Sequence, residues 1–359
     1  MTGRVMHPRP NPIVAAMYTL RDMDVDVIVV HGPAGCGFMA SRPLEEAGVR
    51  VVTTAMRDDD LIFGASEALV ATLRSLDERF RPGTVAVVGT CASMIIGEDM
   101  EAAIARADLG CRVFAVDCHG CMGANTEGAV RALAAGRDAG LIDADETERQ
   151  IGLMRAATRL EQRAGMAASG YLSPSRGPTK LGAATRILDT LEGGGRVAVV
   201  MIAKKELAYR FADIFVAVDA ARARLGGETL FVANLDGGKG LPRIRGYCRD
   251  IVADLDAHGV AIDAVVGGLD EYSVVGGQAR EAVDAFAPDL TVVVGVCHAY
   301  PGMTADDILI TDQPRQLANY LSQGLAAVGE IASHSMVMGV HRIVHLESAD
   351  TVRELLEGR

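Results

Sequence analysis

Val25-Asp-Val-Ile-Val-Val-His-Gly-Pro-Ala-Gly-Cys-Gly37 and Thr84-Val-Ala-Val-Val-Gly-Thr-Cys91 decide the fold. Each is a short run of β-branched and small apolar residues that gives way to glycine and then cysteine. A near-continuous apolar run, rather than a strictly alternating one, suits a parallel strand buried on both faces. The glycines mark the turn out of the strand. Open α/β sheets bind ligands just past the carboxyl ends of their strands. Cys36 and Cys91 therefore occupy ligand-binding positions.

Outward from these two stretches, helix and strand signals alternate. A helix is expected over 12–23, with Pro12 at a favoured first position. Strands are expected over 25–30, 50–54, 84–88 and 111–116. Further helices are expected over 62–80, 100–107 and 126–139, the last with Thr126 as a cap. This β-α-β alternation implies a parallel sheet with right-handed crossovers. A doubly wound order 2-1-3-4 makes strands 1 and 3 neighbours. Cys36 and Cys91, 55 positions apart in sequence, then face one crevice at the switch point.

A charged helix over 143–168 reads as a linker. The turn-rich stretch Ser169-Gly-Tyr-Leu-Ser-Pro-Ser-Arg-Gly-Pro178 reads as a domain boundary. Strand signals resume at 196–202, 229–233, 263–266, 291–296 and 307–310, and an amphipathic tail follows. The expected organisation is an N-terminal Rossmann-like, cluster-binding domain over 1–170 and a C-terminal Rossmann-like region over 171–359. That region is either whole or divided into small subdomains near 181–270 and 271–359.

The chain has 359 residues, 49% of them hydrophobic but only 4% aromatic and none of them Trp, so its cores must be aliphatic. No apolar run approaches the roughly 18 residues of a membrane span. The start, Met-Thr-Gly-Arg-Val-Met-His, has no signal-peptide core. A soluble cytoplasmic protein with no membrane partner is expected. A net charge of −12 argues against a non-specific nucleic-acid binder and serves solubility. Seven cysteines without a secretory signal read as thiols or metal ligands rather than a disulfide framework.

Free cysteines often only fill space, and Cys111, Cys248 and Cys297 read that way. Cys36 and Cys91 differ because glycine-rich loops let backbone approach a bulky ligand. Gly32, Gly35, Gly37 and Thr90 are the candidate cofactor-cradling residues, since backbone amides can donate to cluster sulfurs and tune their potential. Two thiolates are half the four that usually hold an iron–sulfur cluster. A phosphate cradle is the weaker alternative. Gly32–Gly37 does not match G-x-G-x-x-G, and Pro33 removes one donor. No G-x-x-x-x-G-K-[ST] occurs, and Gly237-Gly-Lys-Gly240 lacks both its spacing and its Ser/Thr. If ATP is used, another protein hydrolyses it.

Cys118-His-Gly-Cys121 has the C-x-x-C spacing of zinc or redox sites, but no second pair follows at zinc-ribbon distance. The loop from Cys118 to Gly128, with Gly120, Gly123 and Asn125, stays open between a substrate-facing loop, a plain turn and a metal site completed by two subunits. His31 reads as a hydrogen-bonded structural residue. His119 and His298 end strands where crevices should open. Each is a candidate proton donor, because histidine titrates near neutral pH. His334, His341 and His345 show no convincing metal-ligand spacing.

Gly32-Pro-Ala-Gly-Cys36, Phe63-Gly-Ala-Ser-Glu-Ala-Leu69 and Thr90-Cys-Ala-Ser-Met-Ile-Ile-Gly-Glu-Asp99 together resemble the nitrogenase component 1 superfamily. Within it, His7-Pro-Arg-Pro-Asn-Pro12, Val51-Val-Thr-Thr-Ala-Met56 and Asp312 with Pro314-Arg315 resemble the Ni-sirohydrochlorin a,c-diamide reductive cyclases. The likeness is dense over about Met6–Gly128 and thinner beyond. Nitrogenase subunits carry a third cysteine ligand before the Phe-Gly segment, and 51–64 holds none here. The resemblance implies a homodimer in which Cys36 and Cys91 of each copy ligate one shared [4Fe-4S] cluster; a carboxylate in place of one thiolate is the alternative. It also implies an ATP-hydrolysing, Fe-protein-like reductase partner. The implied substrate is a nickel tetrapyrrole that carries its own nickel, reduced and closed to a γ-lactam in coenzyme F-430 biosynthesis. A nitrogenase-like reductase of another tetrapyrrole or small molecule, and a cluster-free Rossmann-type binding or scaffold protein, are the other readings.

Overall fold

The computed structural model describes residues 11–164 and 177–359. The opening of the His7–Pro12 motif, the end of the expected linker helix and most of the turn-rich boundary lie outside the described residues. Two compact units divide the chain. The first holds the described residues up to Ala164 with Leu241–Arg243, and the second holds the rest.

The first unit contains a parallel sheet of order β2-β1-β3-β4, the expected order. Its strands are β1 (Val27–Val30), β2 (Arg50–Thr53), β3 (Thr84–Val88) and β4 (Arg112–Val116). The helices are α1 (Pro12–Asp22), α2 (Phe38–Glu46), α3 (Asp58–Phe63), α4 (Ser66–Phe80), α5 (Cys91–Ile95), α6 (Met100–Ala107), α7 (Asn125–Asp138) and α8 (Ala144–Ala164). One set of alternate strand residues, Val27, Val29, Val85 and Val87, packs on Leu69, Leu73 and Leu76 of α4 and Ala103 of α6. The other set, Ile28, Val30, Ala86 and Val88, is equally buried, as a parallel sheet covered on both faces requires. Val30 pairs with Val88, so β1 and β3 end level and their following loops start side by side.

Two local expectations are corrected. The single helix over 62–80 is two, because Gly64 at φ +96° ends α3 in a conformation that L side chains avoid. The Ala65 amide is then taken by Glu98 Oε1 at 2.5 Å. Thr126 does not cap α7, whose N-cap is Ala124. The Thr126 hydroxyl instead lies 2.6 Å from Thr158 Oγ1 of α8. Helix α2 was not among the expected helices; it carries Pro43 inside it, a residue that erases the sequence signal of a helix.

The second unit contains a parallel sheet of order β10-β9-β8-β5-β6-β7. Its strands are β5 (Arg196–Ile202), β6 (Glu228–Ala233), β7 (Ala264–Val265), β8 (Leu290–Gly295), β9 (Ile308–Thr311) and β10 (Ala326–Gly329). The strand order reverses between β5 and β8, which creates a switch point there. Asn234 ties the strand ends together. Its side-chain oxygen accepts from the Ala203 amide at 2.9 Å, and its nitrogen donates to the Ala203 carbonyl at 2.7 Å and to the Gly268 carbonyl at 3.0 Å. Short, alanine-rich β10 has little β propensity and was not among the expected strands. Among the described residues, no helix is long and apolar enough to cross a membrane.

Candidate functional site

The chain leaves β1 through His31 and Gly32 and makes one 3-10 turn over Ala34–Cys36. It leaves β3 through Gly89 and Thr90, and Cys91 opens the short α5. Thr90 joins the two loops. Its hydroxyl donates to the His31 carbonyl at 2.9 Å and accepts from the Ser93 amide at 3.4 Å. Its own amide donates to Ser93 Oγ at 2.8 Å. A β-carbon on Gly32 would overlap Thr90 Oγ1 and stand 2.6 Å from its Cγ2, so only glycine lets the loops close. A β-carbon on Gly37 would stand 2.9 Å from Val30 Cγ2. Gly35 faces open space and carries no such steric demand.

The two thiols share one local field. Burial pushes the Cys36 thiol up, and negative charge on Cys91 pushes it further. The loop after β4 reaches the same place. The Gly120 amide donates to Cys91 Sγ at 3.2 Å, and Cys121 Sγ lies 3.6 Å from Cys91 Sγ. Cys118 of the same loop is buried, and burial pushes its thiol up to about 12. His119 has a buried Nδ1 without a hydrogen-bond partner. Gly123 has open space around it, and Asn125 is the first residue of α7. The structure thus brings Cys36, Cys91, Gly32, Thr90 and Gly120 together and leaves Gly35 and Gly123 without close neighbours at the β-carbon position.

Beneath the cysteines lies a polar foundation. His31 is fully buried. Its Nδ1 is 3.2 Å from Thr54 Oγ1, and its Nε2 is 3.5 Å from Glu98 Oε2. Thr54 Oγ1 also accepts from the Gly32 amide at 3.0 Å. Burial lowers the His31 pKa, with Glu98 and then Asp60 opposing. Thr54 and Glu98 were not singled out from the sequence as site residues. Both sit inside the motif stretches quoted above, which was the available signal.

Large apolar side chains are exposed in the segments next to the cysteines and on α3. Phe38, two residues past Cys36, is 74% exposed, and Ile95 of α5 is 75% exposed. Ile62 and Phe63 at the end of α3 are 71% and 84% exposed. The segment they end is pinned to Glu98 through the Ala65 amide.

His298 belongs to the second unit. It lies in the 3-10 turn Cys297–Ala299 that follows β8. Partial enclosure and the Lys204 charge lower its pKa. Lys204 follows β5, and Asp312 follows β9; burial raises the Asp312 carboxyl while Lys204 and His334 oppose it. His334 Nδ1 is 3.0 Å from Glu206 Oε1. His298 therefore stands at the switch point of its own sheet, in a charged setting. Among the described residues, one tight group of metal-type side chains occurs, Asp213, His345 and Asp350. Arg353 bridges its two carboxylates, which accounts for the group without an ion.

Soft thiols on glycine-lined backbone, with an amide aimed at one sulfur, suit an iron–sulfur centre better than a hard cation. The fold is that of an α/β protein with parallel sheets, and residues 12–154 match the model of the nitrogenase component 1 type oxidoreductases. The chain is 44% identical over 353 residues to the Ni-sirohydrochlorin a,c-diamide reductive cyclase complex component CfbD of Methanothermobacter thermautotrophicus, covering 97% of this chain and 98% of that protein. The component of the same name from Methanosarcina acetivorans is 43% identical over 359 residues, covering 98% of this chain and 97% of that protein. The chain belongs to this family of reductive cyclase components, within the nitrogenase component 1 type. A solved structure, nitrogenase Cp1 at pH 6.5, aligns over 97% of this chain and 92% of its own with 11% identity and a TM-score of 0.35.

Proposed function

We propose that this chain is the catalytic component of an ATP-dependent reductive cyclase that reduces Ni-sirohydrochlorin a,c-diamide and closes its γ-lactam ring in coenzyme F-430 biosynthesis. The observation that carries the reading is that Cys36 and Cys91 follow adjacent strands that end level, close enough for charge on Cys91 to act on the Cys36 thiol, in a chain alike over nearly its full length to components named for that reaction. Cys36 and Cys91 from each of two copies hold one [4Fe-4S] cluster. The exposed Phe38, Ile62, Phe63 and Ile95 support a homodimer, since a second copy would cover them.

When bound, such a cluster supplies one-electron transfer at low potential. The chain's own residues set its surroundings. Gly32, Gly35, Gly37 and Thr90 bring backbone close, and the Gly120 amide offsets negative charge on the Cys91 sulfur. Cys118, Gly120, Gly123 and Asn125 belong to the loop proposed to face substrate; of these, the buried Cys118 would act as its anchor. His119 and His298 are the proposed proton donors. A lowered pKa makes protonated His298 the stronger acid but leaves it mostly neutral at pH 7. Nickel arrives with the substrate. Because the sequence has no nucleotide-binding P-loop, a partner resembling the nitrogenase Fe protein hydrolyses ATP and delivers electrons. The setting is cytoplasmic, with the cluster-binding domain over 1–170 and a second domain over 171–359.

Iron and acid-labile sulfide quantification on anaerobically purified wild type, Cys36→Ala and Cys91→Ala tests the ligand set. About four irons per dimer, lost in both variants, is expected. A cluster retained in either variant would overturn the four-thiolate assignment. Turnover with a reductase partner, ATP and the nickel substrate tests the reaction. Reduction of other tetrapyrroles alone would replace the substrate.

A further inference from the structure

Cys121 is left over from the ligand set, yet its sulfur is 3.6 Å from that of Cys91. We propose that Cys91 and Cys121 form a reversible intrachain disulfide in the cluster-free chain, with a low-molecular-weight disulfide as oxidant. The two side chains already point at each other. A disulfide needs its sulfurs about 2.05 Å apart, so the closure is small. The loop that must move is permissive. Gly123 meets nothing within 4 Å at its β-carbon position, and the turn bond from the Met122 amide to the His119 carbonyl is long, at 3.4 Å.

Access favours a definite order of events. Cys121 is exposed and Cys91 only partly so. Cys121 therefore meets the small disulfide first and forms a mixed disulfide, releasing one small thiol. Cys91 then attacks the Cys121 sulfur and releases the second small thiol. Two S–H bonds are lost and one S–S bond forms. The electron pair and both protons leave on the two small thiols.

A single metal ion is the competing use of this pair. Tetrahedral bonds of about 2.3 Å put two thiolates roughly 3.8 Å apart. Such an ion needs further ligands, however. The one group of three metal-type side chains among the described residues is Asp213, His345 and Asp350, not these cysteines. Cys36 is the third thiol of the neighbourhood, yet the Gly120 amide and Cys121 hold Cys91 from the side of the β4 loop. The disulfide has a protective consequence, because it keeps Cys91 off the irreversible part of the oxidation ladder. It also withholds Cys91 from iron until a thiol reduces it. Only this consequence rests on the cluster assignment; the disulfide itself does not.

The full chain, stripped of iron by a chelator without oxygen, is treated with oxidised glutathione and mapped by non-reducing peptide mass spectrometry. A Cys91–Cys121 cross-link with the mass of two hydrogens missing, reversed by dithiothreitol and absent in Cys121→Ser, is expected. A Cys36–Cys91 cross-link, glutathione adducts alone or unmodified thiols would each overturn the proposal. Far-ultraviolet circular dichroism of Cys121→Ser, with Cys121→Ala as a second variant, confirms that loss of the cross-link is not loss of fold. The same oxidation after reconstitution with iron and sulfide separates the two claims. A chain that takes up no iron refutes the cluster while the cross-link stands. A chain that takes up iron but gives no cross-link when stripped refutes the disulfide alone.

Discussion

Gly32 lies against Thr90 so closely that a β-carbon there would stand 2.6 Å from Thr90 Cγ2. Thr90 cannot retreat cheaply, because its hydroxyl spans to the His31 carbonyl and its backbone caps α5 with Ser93. Gly32→Ala is expected to cost about 1–3 kcal/mol, the range of overpacking in a filled site, and to lower iron uptake by parting the two cysteine loops. Gly35→Ala, three residues on and facing open space, is expected to change stability by less than about 0.5 kcal/mol. Chemical denaturation of the two variants side by side checks the contrast in stability, and the iron content of Gly32→Ala checks the parting of the loops. Equal losses would mean that the Gly32–Thr90 contact is not what holds the loops together.

His31 makes the same foundation pH-sensitive. Its folded pKa is lowered by burial, with Glu98 opposing, so the unfolded chain binds this proton more readily than the folded one. Stability is therefore full above the ordinary histidine value of about 6.5 and falls as pH drops through that value toward the folded pKa. His298 is shifted the same way and adds to the slope. Urea midpoints of wild type and His31→Gln between pH 8 and pH 5, in about half-unit steps, isolate the His31 share. The variant should be less stable near pH 8 and lose less on acidification. Parallel curves would show that His31 does not titrate in this window.

The exposed Phe63 and Ile95 give an association test. Burying one Phe or Ile side chain contributes about 1.5–3 kcal/mol, and a two-fold interface uses each residue twice. Phe63→Glu and Ile95→Glu replace side chains that are 84% and 75% exposed, so the folded single chain should tolerate both. Each is expected to weaken dimerisation at least tenfold by light scattering or sedimentation, and iron per chain should fall with it. A wild-type chain that is monomeric with full iron would remove the shared cluster.

Much of this was legible because parallel strands carry their burial in plain view. Val27–Val30 and Thr84–Val88 are apolar on both faces, and the glycines after them leave few choices of geometry. The order β2-β1-β3-β4 followed, and with it the meeting of Cys36 and Cys91. What escaped depended on distant partners. The break between α3 and α4 needs Glu98 to receive the Ala65 amide, which no local pattern announces. Thr126 has the chemistry of a cap, but Thr158 from the next helix claims its hydroxyl. Cys121 looked like half of a C-x-x-C pair with Cys118. The loop splits them, burying Cys118 and sending Cys121 to Cys91. Sequence spacing proposes pairs, while backbone direction chooses among them.

Helices α7 and α8 carry a last prediction, with opposite signs at two glycines. Alanine in a helix interior normally stabilises by roughly 0.5–1 kcal/mol relative to glycine, through chain entropy. Gly152 of α8 is exposed and meets nothing within 4 Å at its β-carbon position, so Gly152→Ala should raise the unfolding midpoint by about that amount. Gly128 of α7 is buried against the first residue of α1. A β-carbon there would overlap the Pro12 carbonyl oxygen and stand 2.6 Å from its carbon. Because backbone rather than a flexible side chain blocks the space, Gly128→Ala must push α1 off α7 and should cost at least 1–3 kcal/mol, roughly the overpacking range. Thermal unfolding of both variants reads the signs. A Gly128→Ala protein as stable as wild type would mean that α1 packs on α7 more loosely than the structure places it.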